Sequence, residues 1–323
     1  MFRVKPIIVL ALMSLLGMGQ LCHAQVDIPE GISDLDVSDL RQAVIAFVNI
    51  ATAPGVEGSA LTVDKTNRQS DLWRSSLGFS AEFRIKPNIY NGYWGLSLIG
   101  GGLDDRFVLV DDFGDEVDVQ VKRNIAALRG NFGLSFPIDQ HFKVRPFASL
   151  IVSHIETEST AQGALFLNSE QFEEAFFRAN TVDSVTGVAS VDLLYSEWGE
   201  RLGVDLMGRY NIMYTDTFSE ENAALDTWDW SHSMLVKGTL SGPTEWHFRN
   251  QKWYWNTYYS YNAYLDQKKS ALGFNDLHEI GVGLDWDMHI KPLDWFGWRY
   301  IGVKAGYSFS DDVSGFNIGV TAR

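Results

Sequence analysis

The sequence predicts an all-β protein, a transmembrane antiparallel β-barrel of about 12 strands preceded by a short helix. Three observations carry this prediction. An export signal opens the chain, long segments alternate apolar and polar residues with a period of two, and aromatic residues gather at the ends of the apolar faces. Such long alternation is typical of strands that present one face to lipid and the other to a lumen.

Residues 1–24 have the composition of a cleaved signal peptide. Arg3 and Lys5 give a basic start, residues 7–16 form an apolar core, and Ala24 ends a run with the small residues that signal peptidase requires. We expect cleavage after Ala24. The chain then divides into a segment with a helix over residues 25–57 and an outer-membrane barrel over residues 58–323.

Composition excludes several classes of protein. The single cysteine, Cys22, lies in the signal peptide, which excludes disulfides and cysteine-based zinc sites from the mature chain. A net charge of −15 without a basic cluster makes nucleic-acid binding a poor fit. No apolar run of transmembrane-helix length follows Ala24, and 46% hydrophobic residues exclude disorder. We expect no cofactor and no metal.

One segment ahead of the barrel, residues 36–50, has a helical pattern. Asp36 or Ser38 can cap it, and Pro54 lies just beyond its end. Residues 43–50 are apolar around nearly the whole circumference and are too few to cross a bilayer. We favour a position inside the barrel lumen, with the periplasmic rim as the alternative.

The clearest strand covers residues 279–290, in which six apolar side chains alternate with glycine, acidic residues and a histidine. The same period recurs in residues 77–85, 128–136, 202–214 and 301–309. A strand of a soluble sandwich is shorter and turns its polar face outward. Here the polar faces carry glycine and charges of both signs, as the inside of a small barrel requires, so a periplasmic β protein is the less favoured alternative.

Short links between these strands alternate with longer and more polar ones, which is typical of bacterial barrels with periplasmic turns and extracellular loops. The short links are expected at residues 86–92, 137–141, 196–203, 241–244 and 291–297. An even strand count places both ends of the barrel on the periplasmic side.

The signal peptide, the helix-bearing lead and the strand count together resemble the translocator barrel of autotransporters. The resemblance covers nearly the whole mature chain, and it points to the solitary outer-membrane autotransporter β-barrel family, which has no passenger domain. It implies a monomer in the outer membrane of a Gram-negative bacterium, in contact with lipid and lipopolysaccharide and inserted by the barrel-assembly machinery. The last strand departs from the family's pattern, because Arg323 stands where an aromatic residue is usual.

The sharpest candidate for catalysis is the trio Asp285, Asp287 and His289, which share one strand face at intervals of about 6.6 Å. Paired acids with a histidine could activate water, as in a barrel hydrolase. The trio leads into a short turn, however, whereas a substrate-cleaving site is expected at the extracellular rim. We therefore predict no catalytic residues, and a structural charge network in the lumen formed by Arg129, Asp205, Arg209, Asp285, Asp287, His289 and Lys304, in which Lys304 faces Asp285.

Two other histidines do not favour catalysis. His232 has the lipid-side parity of its strand, so it cannot meet the neighbouring Ser231 on one face. His154 lies in a stretch, residues 143–155, with two plausible registers, and one histidine beside Glu156 makes no metal site.

The polar faces decide between a closed barrel and a channel. They mix both signs of charge, which favours internal pairing over selectivity for one sign: Glu82, Arg84, Arg129, Asp205, Arg209, Asp229, Lys237, Arg249, Asp285 and Lys304. We predict a noncatalytic outer-membrane barrel with a charged, occluded lumen. A small-solute channel or porin and an outer-membrane barrel hydrolase are the alternatives.

Overall fold

The computed structural model describes most of the barrel and one helical segment before it. The described residues are 44–50, 59–65, 68–86, 89–110, 116–162, 180–219, 226–249, 251–265, 274–288, 300–311 and 313–322. The predicted signal peptide, residues 36–43 of the predicted helix and the predicted link 291–297 lie outside these ranges.

Twelve strands and one helical segment, α1 (residues 44–50), make up the described part of the chain. The strands are β1 (Ser59–Lys65), β2 (Arg68–Lys86), β3 (Tyr90–Val110), β4 (Glu116–Pro137), β5 (Phe142–Gln162), β6 (Asn180–Trp198), β7 (Gly203–Phe218), β8 (Thr227–Phe248), β9 (Gln251–Tyr264), β10 (Asp276–Asp287), β11 (Tyr300–Ser310) and β12 (Val313–Ala322).

Each strand pairs antiparallel with its neighbours in sequence, and β1 pairs with β12 to close the ring. The closing contact runs from Ala60 opposite Phe316 to Val63 opposite Val313. Closure leaves the backbone groups of the wall paired within the sheet, which is what a lipid environment demands of a β structure. The prediction of an antiparallel barrel of about 12 strands is confirmed.

The period of two in the sequence separates an outward face from a lumen face. In β10, Asp285 and Asp287 are buried in the lumen, whereas Ile280 and Val282 are 53% and 61% exposed on the outside. Large apolar side chains exposed on the outer face are expected when lipid rather than protein covers them. The glycine and charged positions of the pattern therefore lie inward, as predicted.

The outer face of β4 shows where lipid contact ends. Its outward residues are apolar from Phe136 to Ala126, a run of about 33 Å along the strand and about 25 Å at a tilt of about 40°. Beyond Ala126 the outward residues become polar, with Asn124 and Lys122 both exposed. β4 therefore extends past the apolar belt and out of the membrane.

The two ends of the barrel differ in the length of their links. One end joins β2 to β3, β4 to β5, β6 to β7 and β8 to β9 through two to four residues each, and we call it the short-turn end. It also carries the longer link between β10 and β11. The opposite, long-loop end joins β1 to β2 and β11 to β12 through two residues each, but it also includes the longest link, which covers residues 163–179.

One predicted link is wrong. Residues 241–244 were expected to form a turn, but β8 runs through them to Phe248. The register of β8 against β9 shifts between Pro243 and His247, so Pro243 sits at a β-bulge. Proline is tolerated at bulges, where the strand bends without ending. The ambiguous stretch 143–155 takes the register that places Phe147, Ser149 and Ile151 in the lumen.

α1 lies inside the barrel. Its described residues are between 0% and 4% exposed, and they pack with lumen residues of several strands. The cluster they join is Leu61, Leu72, Leu103, Ile125, Ile155, Val182, Tyr264, Phe274, Leu277 and Val313. A helix that is apolar all round is stable only when it is buried, which accounts for this position. No helix of the described residues is long and apolar enough to cross a membrane.

Candidate functional site in the barrel lumen

The end of α1 touches opposite walls of the lumen. Asn49 Nδ2 donates to Ser231 Oγ of β8 at 2.9 Å, and Thr215 Oγ1 of β7 donates to Asn49 Oδ1 at 3.0 Å. On the other side, Arg74 Nη1 of β2 donates to the carbonyl oxygen of Ile50 at 2.9 Å. Since β2 and β8 are six strands apart in the closed ring, residues 49 and 50 bridge its diameter.

Nearer the short-turn end, one carboxylate joins two arginines across three strands. Asp192 of β6 is fully buried and accepts from Arg145 Nη2 at 2.6 Å and from Arg209 Nε at 2.6 Å. Each guanidinium also donates a second bond to Asp192 Oδ2, at 3.0 Å and 2.9 Å. Paired bonds from a planar guanidinium to a carboxylate are among the stronger and more directional contacts in proteins.

This cluster extends to β2. Arg145 Nη1 lies 3.6 Å from Glu82 Oε1, and Lys143 Nζ lies 3.3 Å from Glu82 Oε2. Ser135 Oγ of β4 donates to the same carboxylate at 3.1 Å. Charges on β2, β5, β6 and β7 are thus linked into one network by alternating signs.

Aromatic rings support the two arginines. The Arg145 guanidinium carbon lies 4.2 Å from the centre of the Tyr93 ring, and that of Arg209 lies 5.0 Å from the centre of the Phe147 ring. Stacking on a ring face stabilises a cation and fixes its plane. The network is therefore held in place by packing as well as by charge.

A second group of polar side chains lies on the wall formed by β8 to β12. The Tyr258 ring has Lys237 Nζ at 4.8 Å and Lys304 Nζ at 5.3 Å from its centre. Asn256 Nδ2 donates to the buried Asp285 at 3.0 Å. Lys304 stands opposite Gly283 in the register, two residues from Asp285 on the same face of β10.

The described residues of the predicted lumen network lie on several strands of the barrel wall. Arg129 and Arg209 lie on the wall of β4 to β7, and Asp285, Asp287 and Lys304 lie on the wall of β10 and β11. Asp205 of β7 accepts from Ser196 Oγ at 2.6 Å, close to the short-turn end. His289 lies outside the described residues. That all seven act as a structural network stays a prediction.

The other histidines lie on the outer face. His232 shares a hydrogen bond of 2.7 Å with the Tyr210 hydroxyl, and His154 Nδ1 lies 2.7 Å from Asp183 Oδ1. Within the described ranges, no three side chains of the types that bind metals come together. Neither histidine faces the lumen serines, because its strand parity directs it toward the outside.

Sequence reasoning missed Arg145 and Asp192, the centre of the first network. Because its strand had two possible registers, the sequence did not decide whether Arg145 faces the lumen. Asp192 stands between Val191 and Leu193, and this local alternation was a usable signal for an inward acid. What the sequence could not supply was that the two residues face each other across β5 and β6.

Comparisons with known proteins bear on the fold. No family model matches the chain, and no curated protein matches it. Among solved structures, it is similar to the translocator domain of the autotransporter NalP from Neisseria meningitidis, with 11% identity, a TM-score of 0.47, and coverage of 88% of this chain and 97% of that one.

Two further solved structures are also similar to the chain, with equal or lower TM-scores. The β domain of the Bordetella autotransporter BrkA has 11% identity and a TM-score of 0.47, with 82% of this chain and 95% of that one covered. The NanC porin has 10% identity and a TM-score of 0.33, with 82% and 98% covered. The chain has an outer-membrane β-barrel fold.

Proposed function

We propose that the chain is a noncatalytic outer-membrane barrel whose charged lumen is closed from within, and that it resembles an autotransporter translocator barrel. The bridge formed by Asn49 and Ile50 between β2 and β8 carries this proposal. A helix of about 10 Å diameter takes up most of the width of a small barrel, so solutes have little room to pass it.

The charges of the lumen support closure rather than selective conduction. A channel that selects ions of one sign lines its narrow part with charges of the opposite sign alone. Here Asp192 lies between two arginines and Glu82 lies between Arg145 and Lys143, so charges of the two signs pair across the strands. Side chains held in this way fill the lumen.

The placement of the candidate catalytic groups supports a noncatalytic role. Asp285 is 1% exposed and accepts a hydrogen bond from Asn256, which leaves it poorly placed to activate water for a substrate. His232 and His154 lie on the outer face of the wall, away from the lumen. A nucleophile and its base must meet on one face.

The outer face supports a proposal about the surroundings of the barrel. We propose a monomer in the outer membrane, in contact with lipid and lipopolysaccharide and inserted by the barrel-assembly machinery. Lys122 and Arg106 lie just above the apolar belt, where anionic headgroups are found.

Deletion of residues 36–50 tests the closed lumen. The full chain should conduct poorly in planar bilayers, whereas the deletion variant should give clearly larger single-channel currents, because its lumen loses the bridge. As a second measurement, Ser231→Cys supplies one thiol beneath α1. A water-soluble maleimide should label this thiol slowly in the full chain and quickly after the deletion.

The control is the fold of the deletion variant, which heat-dependent gel mobility reports. A folded deletion variant with unchanged currents and unchanged labelling at position 231 would contradict closure by α1. Large, stable currents from the full chain would instead favour a small-solute channel or porin.

Assays of hydrolysis test the noncatalytic part of the proposal. The purified full chain should give background rates with peptide, ester and phospholipid substrates, and Asp287→Asn and His289→Gln should leave those rates unchanged. Robust hydrolysis by the full chain that both substitutions abolish would instead establish a barrel hydrolase.

A further inference from the structure

One stretch of the lumen wall gathers more cationic than anionic side chains. We define the basic patch as Glu82, Arg129, Lys143, Arg145, Asp192 and Arg209, on strands β2 and β4 to β7. It holds four cations and two carboxylates, in a chain whose net charge is −15. Burial of a surplus of one sign costs free energy unless an ion of the other sign completes the set.

Polar atoms beside the basic patch have hydrogen-bonding capacity to spare. Asn131 of β4 stands opposite Ser149 of β5 in the register, and both lie in the lumen. Asn131 Oδ1 and Ser149 Oγ are buried, and neither has a hydrogen-bond partner within the part of the chain that the structure describes. Buried polar atoms are seldom left in this state without a ligand or water.

Two arginines occupy neighbouring positions on the lumen face of the wall. Arg129 is two positions from Asn131 on the same face of β4, and it donates to Ser97 Oγ at 3.1 Å. Arg209 reaches over the ring of Phe147, which is two positions from Ser149 on β5. Two guanidiniums, a hydroxyl donor and an amide acceptor therefore border one region of the wall.

We propose that this region binds a hydrogenphosphate dianion. Guanidiniums and a serine hydroxyl donate to the oxygens of such an ion, and its two charges match the surplus of the basic patch. Asn131 Oδ1 needs a donor, which the O–H of hydrogenphosphate supplies and which sulfate lacks. Glu82 and Lys143, both partly exposed near the short-turn end, border the way in.

Titration calorimetry of the refolded full chain with inorganic phosphate tests the site. It is done in chloride buffer of constant ionic strength and mildly alkaline pH, with sulfate as the second ligand. Phosphate should bind with one site per chain, and sulfate should bind at least about tenfold more weakly, because Asn131 Oδ1 then faces an acceptor. Equal binding of the two ions, or no binding of phosphate, would overturn the proposal.

Three variants change the affinity in opposite directions. Arg129→Gln should weaken phosphate binding by at least about tenfold, and Ser149→Ala, which removes a single oxygen, by about fivefold. Glu82→Gln removes a competing negative charge and should strengthen binding. Affinity that is unchanged in all three would refute the site.

The matched control lies on the opposite wall. Lys304→Gln, on β11 six strands from β5, removes a lumen cation that contacts Tyr258 and should leave phosphate affinity unchanged. An equal loss in this variant would show that phosphate only screens lumen charge, and would also overturn the proposal. None of these measurements depends on conductance. The phosphate site can therefore be refuted while the closed lumen is supported, and the closed lumen can be refuted while the phosphate site is supported.

Discussion

Asp192→Asn is expected to destabilise the barrel by about 3–5 kcal/mol, because it leaves the guanidiniums of Arg145 and Arg209 buried without their shared carboxylate. Asp192 is fully buried, so water cannot replace the lost charge. The substitution replaces one carboxylate oxygen by an amide nitrogen of nearly the same size, so lost packing should contribute little. Urea unfolding of the protein in lipid vesicles, followed by tryptophan fluorescence, measures the change.

Asp205→Asn is the matched control for this experiment. Asp205 is also a lumen aspartate, but it is only half-buried and accepts a hydrogen bond from the hydroxyl of Ser196. Its loss should cost less than about 1 kcal/mol. Equal costs for the two substitutions would mean that the arginine pair does not depend on Asp192.

Phe132→Arg should destabilise the barrel by about 2–4 kcal/mol, because an arginine would then face lipid near the middle of the apolar belt. Phe132 is 66% exposed on the outer face of β4, so its removal disturbs little internal packing. The same urea unfolding, with gel mobility as a check of the folded fraction, reports the cost.

Asp118→Arg introduces the same residue on the same face of β4, beyond the polar residues that mark the edge of the belt. The cost there should be close to zero, within about 1 kcal/mol. A large cost at both positions would mean that β4 does not leave the membrane where its outward residues become polar.

The barrel could be predicted from the sequence because its wall is specified locally. A period of two assigns each residue of a strand to lipid or lumen without knowledge of any other strand. Ile280 and Asp285 were assigned in this way, and their faces are as predicted. The turn at 241–244 failed because glycine and proline mark a bulge as well as a turn, and only pairing with β9 tells the two apart.

The contents of the lumen could be predicted only in part. That Arg209 points inward follows from parity, but that it meets Asp192 depends on how β7 is offset from β6, and that it stacks on Phe147 depends also on the offset of β5. Register between strands is fixed by the whole sheet, and no short pattern encodes it. Lys304 was expected to lie towards Asp285, and the register places it opposite Gly283, two residues away on the same face.

The bridge made by α1 also bears on the order in which the protein folds. Asn49 and Ser231 are 182 residues apart in sequence, and Asn49 and Thr215 are 166 apart, whereas neighbouring strands meet through hairpins. Contacts between distant residues form only after the intervening chain has been arranged, so they arise late. The helix is made first and yet can dock only when β7 and β8 exist. We infer that the helical segment docks into the lumen late in folding, after β7 and β8 have joined the barrel.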